Sequence, residues 1–235
     1  TLGSVSSDLQ VSSALILDNS NERVMTGPAD LSLLAFQDIS IGGVISTGGT
    51  INFSGGGQLS GTGELDLSGS TWGLGEEFVK SSGTLTISQT DLKLVDNSTL
   101  TSDEALSFVN LNLNNFKLTL GSPTSDLTVQ NAITIDAGTE GISTGGADLI
   151  LDASIDISDG GVTSTGGIVS LSVGGQLSGT GILDVSGSTW GLGGDFVKSS
   201  GTLTTSQTIL ALSGNSTLTS DVALSFVTLN LNYKT

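Results

Sequence analysis

The chain has 235 residues, 23 of them acidic and 6 basic, and its net charge is −17. Such a charge repels nucleic acid and anionic lipid, so neither is an expected partner. The sequence contains no Cys and no apolar run of membrane-helix length, which excludes disulfide scaffolds, thiol chemistry and helical membrane insertion.

Short stretches in which apolar and polar residues alternate run through the whole chain, whereas helical periodicity is nearly missing. Alternation with a period of two is typical of strands buried on one face, so the sequence predicts an all-β fold. In chain order the stretches are LQVSSALIL (9–17), ELDLS (64–68), TLTIS (84–88), LKLV (92–95), LNLN (111–114), KLTL (117–120), LTV (127–129) and AITID (132–136).

Glycine separates these predicted strands, as in STGGT (46–50) and STGGI (164–168). Glycine adopts positive φ angles without steric cost and therefore favours sharp corners. Hairpin signals are scarce, since Asp159-Gly160 is the one Asp-Gly pair and no Asn-Gly pair occurs. This scarcity argues against a meander of antiparallel hairpins.

The chain contains one unit twice. Residues 56–90 return almost unchanged at 174–208, and TLGSVSSD (1–8) corresponds to TLGSPTSD (119–126), so the offset is 118 residues. The sequence therefore predicts repeat unit 1 at 1–118 and repeat unit 2 at 119–235.

A shorter period of about 20 residues lies inside the unit, since GELDLSG (63–69) is followed by the similar GTLTISQ (83–89). Periods of this size indicate a solenoid, in which each coil covers the apolar face of the coil before it. Ten to twelve coils at about 4.8 Å each predict a rod on the order of 50 Å long. The alternative is two tandem Ig-like β-sandwiches joined at 121–126.

Residues 147–187, with short strands such as ADLILDA and double-glycine corners such as DGGV, resemble the repeats of filamentous-haemagglutinin-type adhesins and autotransporter passengers. The resemblance implies a right-handed parallel β-helix exported to a bacterial surface. It transfers no functional residue to this chain.

Trp72 and Trp190 occupy equivalent positions in the two STWGLG segments. One interpretation is a pair of exposed platforms that stack on sugar rings, as in a carbohydrate-binding module. The other is that both rings cover the core, since Leu74 and Leu192 follow at strand spacing. Four aromatic residues in apolar contexts are predicted to lie in the core, namely Phe78, Phe108, Phe196 and Phe226.

Carboxylates raise the question of a polysaccharide-degrading enzyme, which needs two acids in different environments across a cleft. Glu64 and Asp66 share one strand face, and Glu76 and Glu77 are adjacent. The second copy has Ile182, Asp184, Gly194 and Asp195 at these positions, and the chain has no His and a single Arg, Arg23. A solvated strand face explains these acids better, so we expect no enzymatic activity.

Calcium is the one cofactor that the acidity suggests. Asp136 and Glu140 flank one glycine turn, and Asp156 and Asp159 precede another. Neither segment matches the EF-hand loop or the GGxGxD calcium-binding repeat, so hydrogen bonding of Asp to turn backbone is favoured over a metal site.

Together these features predict a non-enzymatic extracellular structural or adhesive segment at a bacterial cell surface, a rod-like stalk or filament subunit. Its expected partners are other copies or neighbouring repeats joined end to end, with host or matrix glycans as further candidates. Asn52, Asn97 and Asn215 begin glycosylation sequons, whose use the sequence leaves open.

Overall fold

The computed structural model describes all residues except 3, 5, 18, 214 and 233–235. The described residues form 27 strands and no helix. The strands are β1 (Leu9–Val11), β2 (Arg23–Gly27), β3 (Leu31–Leu33), β4 (Gln37–Ile39), β5 (Gly43–Ser46), β6 (Thr50–Phe53), β7 (Gly57–Leu59), β8 (Glu64–Asp66), β9 (Thr71–Lys80), β10 (Thr84–Thr86), β11 (Asp91–Ser102), β12 (Leu106–Phe108), β13 (Leu111–Asn112), β14 (Lys117–Leu120), β15 (Leu127–Val129), β16 (Ile133–Gly145), β17 (Leu149–Leu151), β18 (Ile155–Ser164), β19 (Ile168–Leu171), β20 (Gly175–Leu177), β21 (Ile182–Asp184), β22 (Thr189–Leu192), β23 (Phe196–Lys198), β24 (Thr202–Thr204), β25 (Ile209–Ser213), β26 (Leu218–Ser220) and β27 (Thr228–Asn232). In this part of the chain nothing forms a helix that could span a membrane.

The chain coils into a parallel β-solenoid of about eleven turns. Every strand pairing among the described residues is parallel. The prediction of a β-helix is therefore confirmed. The alternative of two Ig-like sandwiches is wrong, because a sandwich is built from antiparallel strands.

The strands stack in three columns, one for each face of the coil. The first column contains β1, β3, β6 and the first halves of β9 and β11, then β13, the first halves of β16 and β18, β20, β23 and β26. The second contains β4, β7, the second halves of β9 and β11, β14, the second halves of β16 and β18, β21 and β24. The third contains β2, β5, β8 and β10, and then, after a break, β12, β15, β17, β19, β22, β25 and β27.

Alternate residues of each strand face inward and form one continuous core. Leu65, Leu92 and Leu94, which lie at alternating positions of their strands, are fully buried. Phe78, Phe108 and Phe196 are buried as well, and Phe226 packs partly buried against the core. The period-two pattern of the sequence therefore places its apolar residues inside, as expected from strand geometry.

Aspartates tie successive turns together at the solenoid's corners. Asp30 accepts a hydrogen bond from the backbone N–H of Thr50 (2.6 Å), and the equivalent Asp148 accepts one from Ile168 (2.7 Å). These bonds satisfy backbone donors at corners where the sheet ladder is interrupted. Part of the chain's acidity thus serves the contact between turns.

The two copies face different directions around the rod. Ile51 lies in the first column, and its equivalent Val169 lies in the third. Five and two-thirds turns of the coil separate Ile51 from Val169. The turns remain paired where the first copy passes into the second, since Asn131 N–H donates to the Val109 carbonyl (3.0 Å). The same side chains therefore fit more than one face of the coil, because every face offers the same parallel ladder.

Candidate functional site

Trp72 on β9 and Trp190 on β22 lie in the interior, and both have an exposed fraction of 0%. Each indole packs edge-on against a phenyl ring, with centroids 4.9 Å apart for Trp72 and Phe78 and 5.1 Å for Trp190 and Phe196. Neither Nε1 has a hydrogen-bond partner among the described residues. The rings are thus core residues, and the interpretation of them as exposed platforms for sugar is corrected by their burial.

The acids considered for glycoside cleavage lie on two different columns. Glu64 on β8 accepts a hydrogen bond from Arg23 Nη2 at 2.8 Å, and Asp66 accepts hydrogen bonds from the backbone N–H and Oγ of Ser68 at 3.0 and 2.6 Å. Glu76 and Glu77 lie on β9, where Glu76 has a positive φ of 55° at an irregularity of the ladder. Glu64 and Asp66 therefore have structural partners. The pair Glu64 and Asp66 and the pair Glu76 and Glu77 lie on different columns of the coil.

Three of the four acids considered for calcium accept hydrogen bonds from their own turn or from an adjacent turn, namely Glu140, Asp156 and Asp159. Glu140 is buried and accepts from the backbone N–H groups of Asn115 (3.0 Å) and Asp136 (3.2 Å). Asp159 Oδ1 accepts from Gly160 N–H and Thr180 Oγ1.

Asp156 Oδ2 accepts from Gln176 Nε2 at 2.7 Å, while its Oδ1 has no partner in the described chain. Among the described residues no three acidic side chains come close enough together to hold a metal ion. Glu140 and Asp159 therefore hold backbone N–H groups in place, and Asp156 binds a side chain of the next turn.

Two buried lysines are features that the sequence analysis did not single out. Lys80 is 4% exposed, and its Nζ contacts Asp103 at 2.6 Å and Glu104 at 3.2 Å. Burial alone would lower the pKa of Lys80, but the hydrogen bonds and charges of the two acids outweigh it and raise the pKa. The hydrogen bond from Lys80 lowers the pKa of Asp103.

The equivalent Lys198 is buried too and forms an ion pair with Asp221. Its second acid is missing, because Val222 stands where the first copy has Glu104. The recurrence of Lys and Asp at the offset of 118 residues is the signal that could have identified both pairs.

The last described turn exposes residues that are core residues one copy earlier. Leu229 and Leu231 on β27 are 57% and 53% exposed, whereas their equivalents Leu111 and Leu113 are 7% and 3% exposed. Within the described chain β27 pairs with β25 alone, so its other edge offers free backbone groups.

At the other end an apolar groove of about 510 Å³ lies between residues 14–17 and Phe36, Asp38, Ser40 and Ile41. Both ends of the described rod therefore present apolar surface.

Comparisons with protein family models, with curated proteins and with solved structures find no match to this chain.

Proposed function

We propose that this chain is a non-enzymatic structural segment of an extracellular bacterial surface protein, a rod that extends by end-to-end stacking of its turns. The observation that carries the proposal is the parallel pairing of each turn with the next, which continues from β1 to β27, so that the edge of every turn is built to pair with another turn. An uncovered strand edge with apolar side chains favours pairing with another strand.

The remaining architecture is consistent with a structural role. The core runs without interruption through both copies, and the acids considered for catalysis at Glu64 and Asp66 are bound to neighbouring side chains or backbone. The bacterial surface location rests on the resemblance to adhesin and autotransporter repeats. A carbohydrate-binding role through Trp72 and Trp190 is not part of the proposal, because both rings are buried.

The test is electron microscopy and sedimentation of the purified chain over a concentration series. The wild type is expected to form particles whose length grows in steps of one chain, about 50 Å. Leu229→Lys with Leu231→Lys places two charges at the end and is expected to keep the chain monomeric, because a buried unpaired charge opposes stacking.

Val173→Lys is the matched control, since Val173 is 55% exposed on the side of the rod. It should assemble like the wild type. A wild type that stays monomeric at every concentration, or a double lysine variant that assembles normally, contradicts end-to-end stacking.

A further inference from the structure

A trough lies on the outer surface of the second column, where the last strand of the first copy meets the second copy. Its floor consists of Gly141 on β16 and Gly161 on β18, which are paired side by side. Lys117 and Ile182 occupy the adjacent positions of the flanking strands β14 and β21 and form its two ends. Two consecutive missing side chains thus leave a cavity of about 240 Å³.

Three hydroxyl groups form one side of the trough. Thr119, Ser143 and Thr163 occupy matching positions on β14, β16 and β18, and all three are exposed. Their side chains make no hydrogen bond to any residue that the structure describes. They form a row of free donors and acceptors spaced by one turn, about 4.8 Å.

Lys117 is a cation without a counter-ion within the described chain. Its stem lies over the floor, with Cγ 3.7 Å from the place that a Cβ of Gly141 would take. Glu140 also lines the trough, but it is buried and accepts two backbone N–H groups. The ammonium group is therefore available to an anionic group from outside.

The first copy shows what this surface accommodates. The residues 118 positions earlier than Gly141, Gly161 and Ile182 are Arg23, Gly43 and Glu64. Arg23 Nη2 and Nε donate to Glu64 Oε2 at 2.8 and 3.2 Å, so the ion pair spans Gly43 between them.

A polar group of the chain itself therefore covers the glycine floor in copy one. The second copy has Gly141 and Ile182 in place of the two charged residues, and the equivalent surface is open.

We propose that the trough binds a pyranose ring that carries a carboxylate, as in a uronic acid. The carboxylate pairs with Lys117 Nζ, the ring hydroxyls exchange hydrogen bonds with Thr119, Ser143 and Thr163, and the apolar ring face packs on Gly161 and Ile182. A neutral sugar would leave the ammonium unpaired, and a cationic side chain from a partner would meet it as a like charge.

Sugar binding at this site goes beyond the structural function proposed above and does not rest on it. Stacking of the rod does not depend on it, so particle length and sugar binding are measured separately and can fail separately.

The test is an NMR titration of the full chain with methyl β-D-glucuronide. We expect saturable shifts of the Gly141 and Gly161 amides, with a Kd on the order of 1 mM for so small a ligand. Methyl β-D-glucoside, which lacks the carboxylate, should bind about tenfold more weakly. Sodium acetate is the control for binding of any anion.

The matched variant carries Gly141→Arg and Ile182→Glu, which reproduces the ion pair of the first copy. It should keep the circular dichroism spectrum and the unfolding midpoint and lose glucuronide binding by at least about tenfold. Lys117→Gln should reduce glucuronide binding to the level of the glucoside and leave glucoside binding unchanged.

Three results would overturn the proposal: no saturable shift with glucuronide, equal binding by the filled variant, or the same shifts with acetate. Equal affinity for the glucoside would overturn the requirement for a carboxylate.

Discussion

Each buried lysine of this solenoid depends on acids that follow it by one turn, and the two copies differ in how many they supply. Lys80 has Asp103 and Glu104, whereas Lys198 has Asp221 and faces Val222 at the second position. A buried ammonium that loses its last counter-ion is destabilising, because desolvation is then uncompensated.

We therefore expect Asp221→Ala to cost about 1–3 kcal/mol of the free energy of unfolding, and Asp103→Ala less than about 1 kcal/mol. The difference arises because Glu104 remains beside Lys80. Urea unfolding of both variants measures it. Val222→Glu in the Asp221→Ala background should restore stability, and equal losses in the two copies would contradict this account.

Acid should weaken the first of these pairs. The pKa of Asp103 is lowered from its ordinary value of 3.8, so its stabilising contribution is complete above that value and is lost as the pH falls through the folded value. Unfolding midpoints from about pH 6 to about pH 2 should show a decline below about pH 4, and the decline should be smaller in Asp103→Asn. An identical pH profile for this variant would show that the pair does not contribute.

Tryptophan at a strand position shows the limit of reading single residues. Leu74 follows Trp72 at strand spacing, and this parity correctly indicates the inward face. The aromatic character of Trp72 alone suggested a sugar-binding platform. Its position in the inward/outward alternation of the strand instead predicts burial, and the ring is buried.

The burial of Lys80 could not be predicted from the alternation of apolar and polar residues. A lysine on an inward position contradicts the alternation, and its acids lie more than twenty residues further along the chain.

At the level of elements, the corners of the coil differ in why they require glycine. At some corners the backbone of an adjacent turn lies too close for a side chain, and at others only the φ angle favours glycine. At Gly56, φ is +68° and a Cβ would lie 2.2 Å from the Glu77 carbonyl oxygen. Gly145 also has a positive φ of +57°, but nothing lies within 4 Å of its Cβ position. The first corner requires glycine for two reasons and the second for one.

Gly56→Ala should therefore cost about 3 kcal/mol or more, because the turn must shift to relieve the clash. Gly145→Ala should cost about 1 kcal/mol, the penalty for a left-handed conformation alone. Thermal and urea unfolding measure both. Similar costs would mean that the neighbouring turn moves away freely.

Much of the element pattern could be predicted from the sequence. LTV at 127–129 becomes β15, and KLTL at 117–120 becomes β14. The sequence could not show which strands share a column, because coil lengths vary by a few residues between turns. The trough depends on that assignment, since Lys117, Gly141, Gly161 and Ile182 are neighbours only after coiling. One signal was present, the replacement of Arg23 by glycine and of Glu64 by isoleucine at the offset of 118.

At the scale of the whole molecule, the net charge of −17 makes separate protein chains repel each other along the full length of the rod. The proposed stacking through apolar ends would bring two such rods together, and added salt would screen their repulsion. We expect longer particles as NaCl rises from about 0.01 M to about 0.5 M, where the screening length falls from about 30 Å to a few ångströms. Sedimentation at fixed protein concentration measures this. Shorter particles at high salt would indicate that the ends are held by opposite charges.

The unit of five and two-thirds turns also sets the angular position of equivalent surface residues around the rod axis. In any further copy added at the same spacing, these residues would be rotated by another third of a revolution. Three copies, or seventeen turns, would bring the pattern back to its starting azimuth after about 80 Å. A surface patch present once per copy would then follow a helical path around the rod axis. A long array would therefore present the patch on all sides of the rod and not along one side.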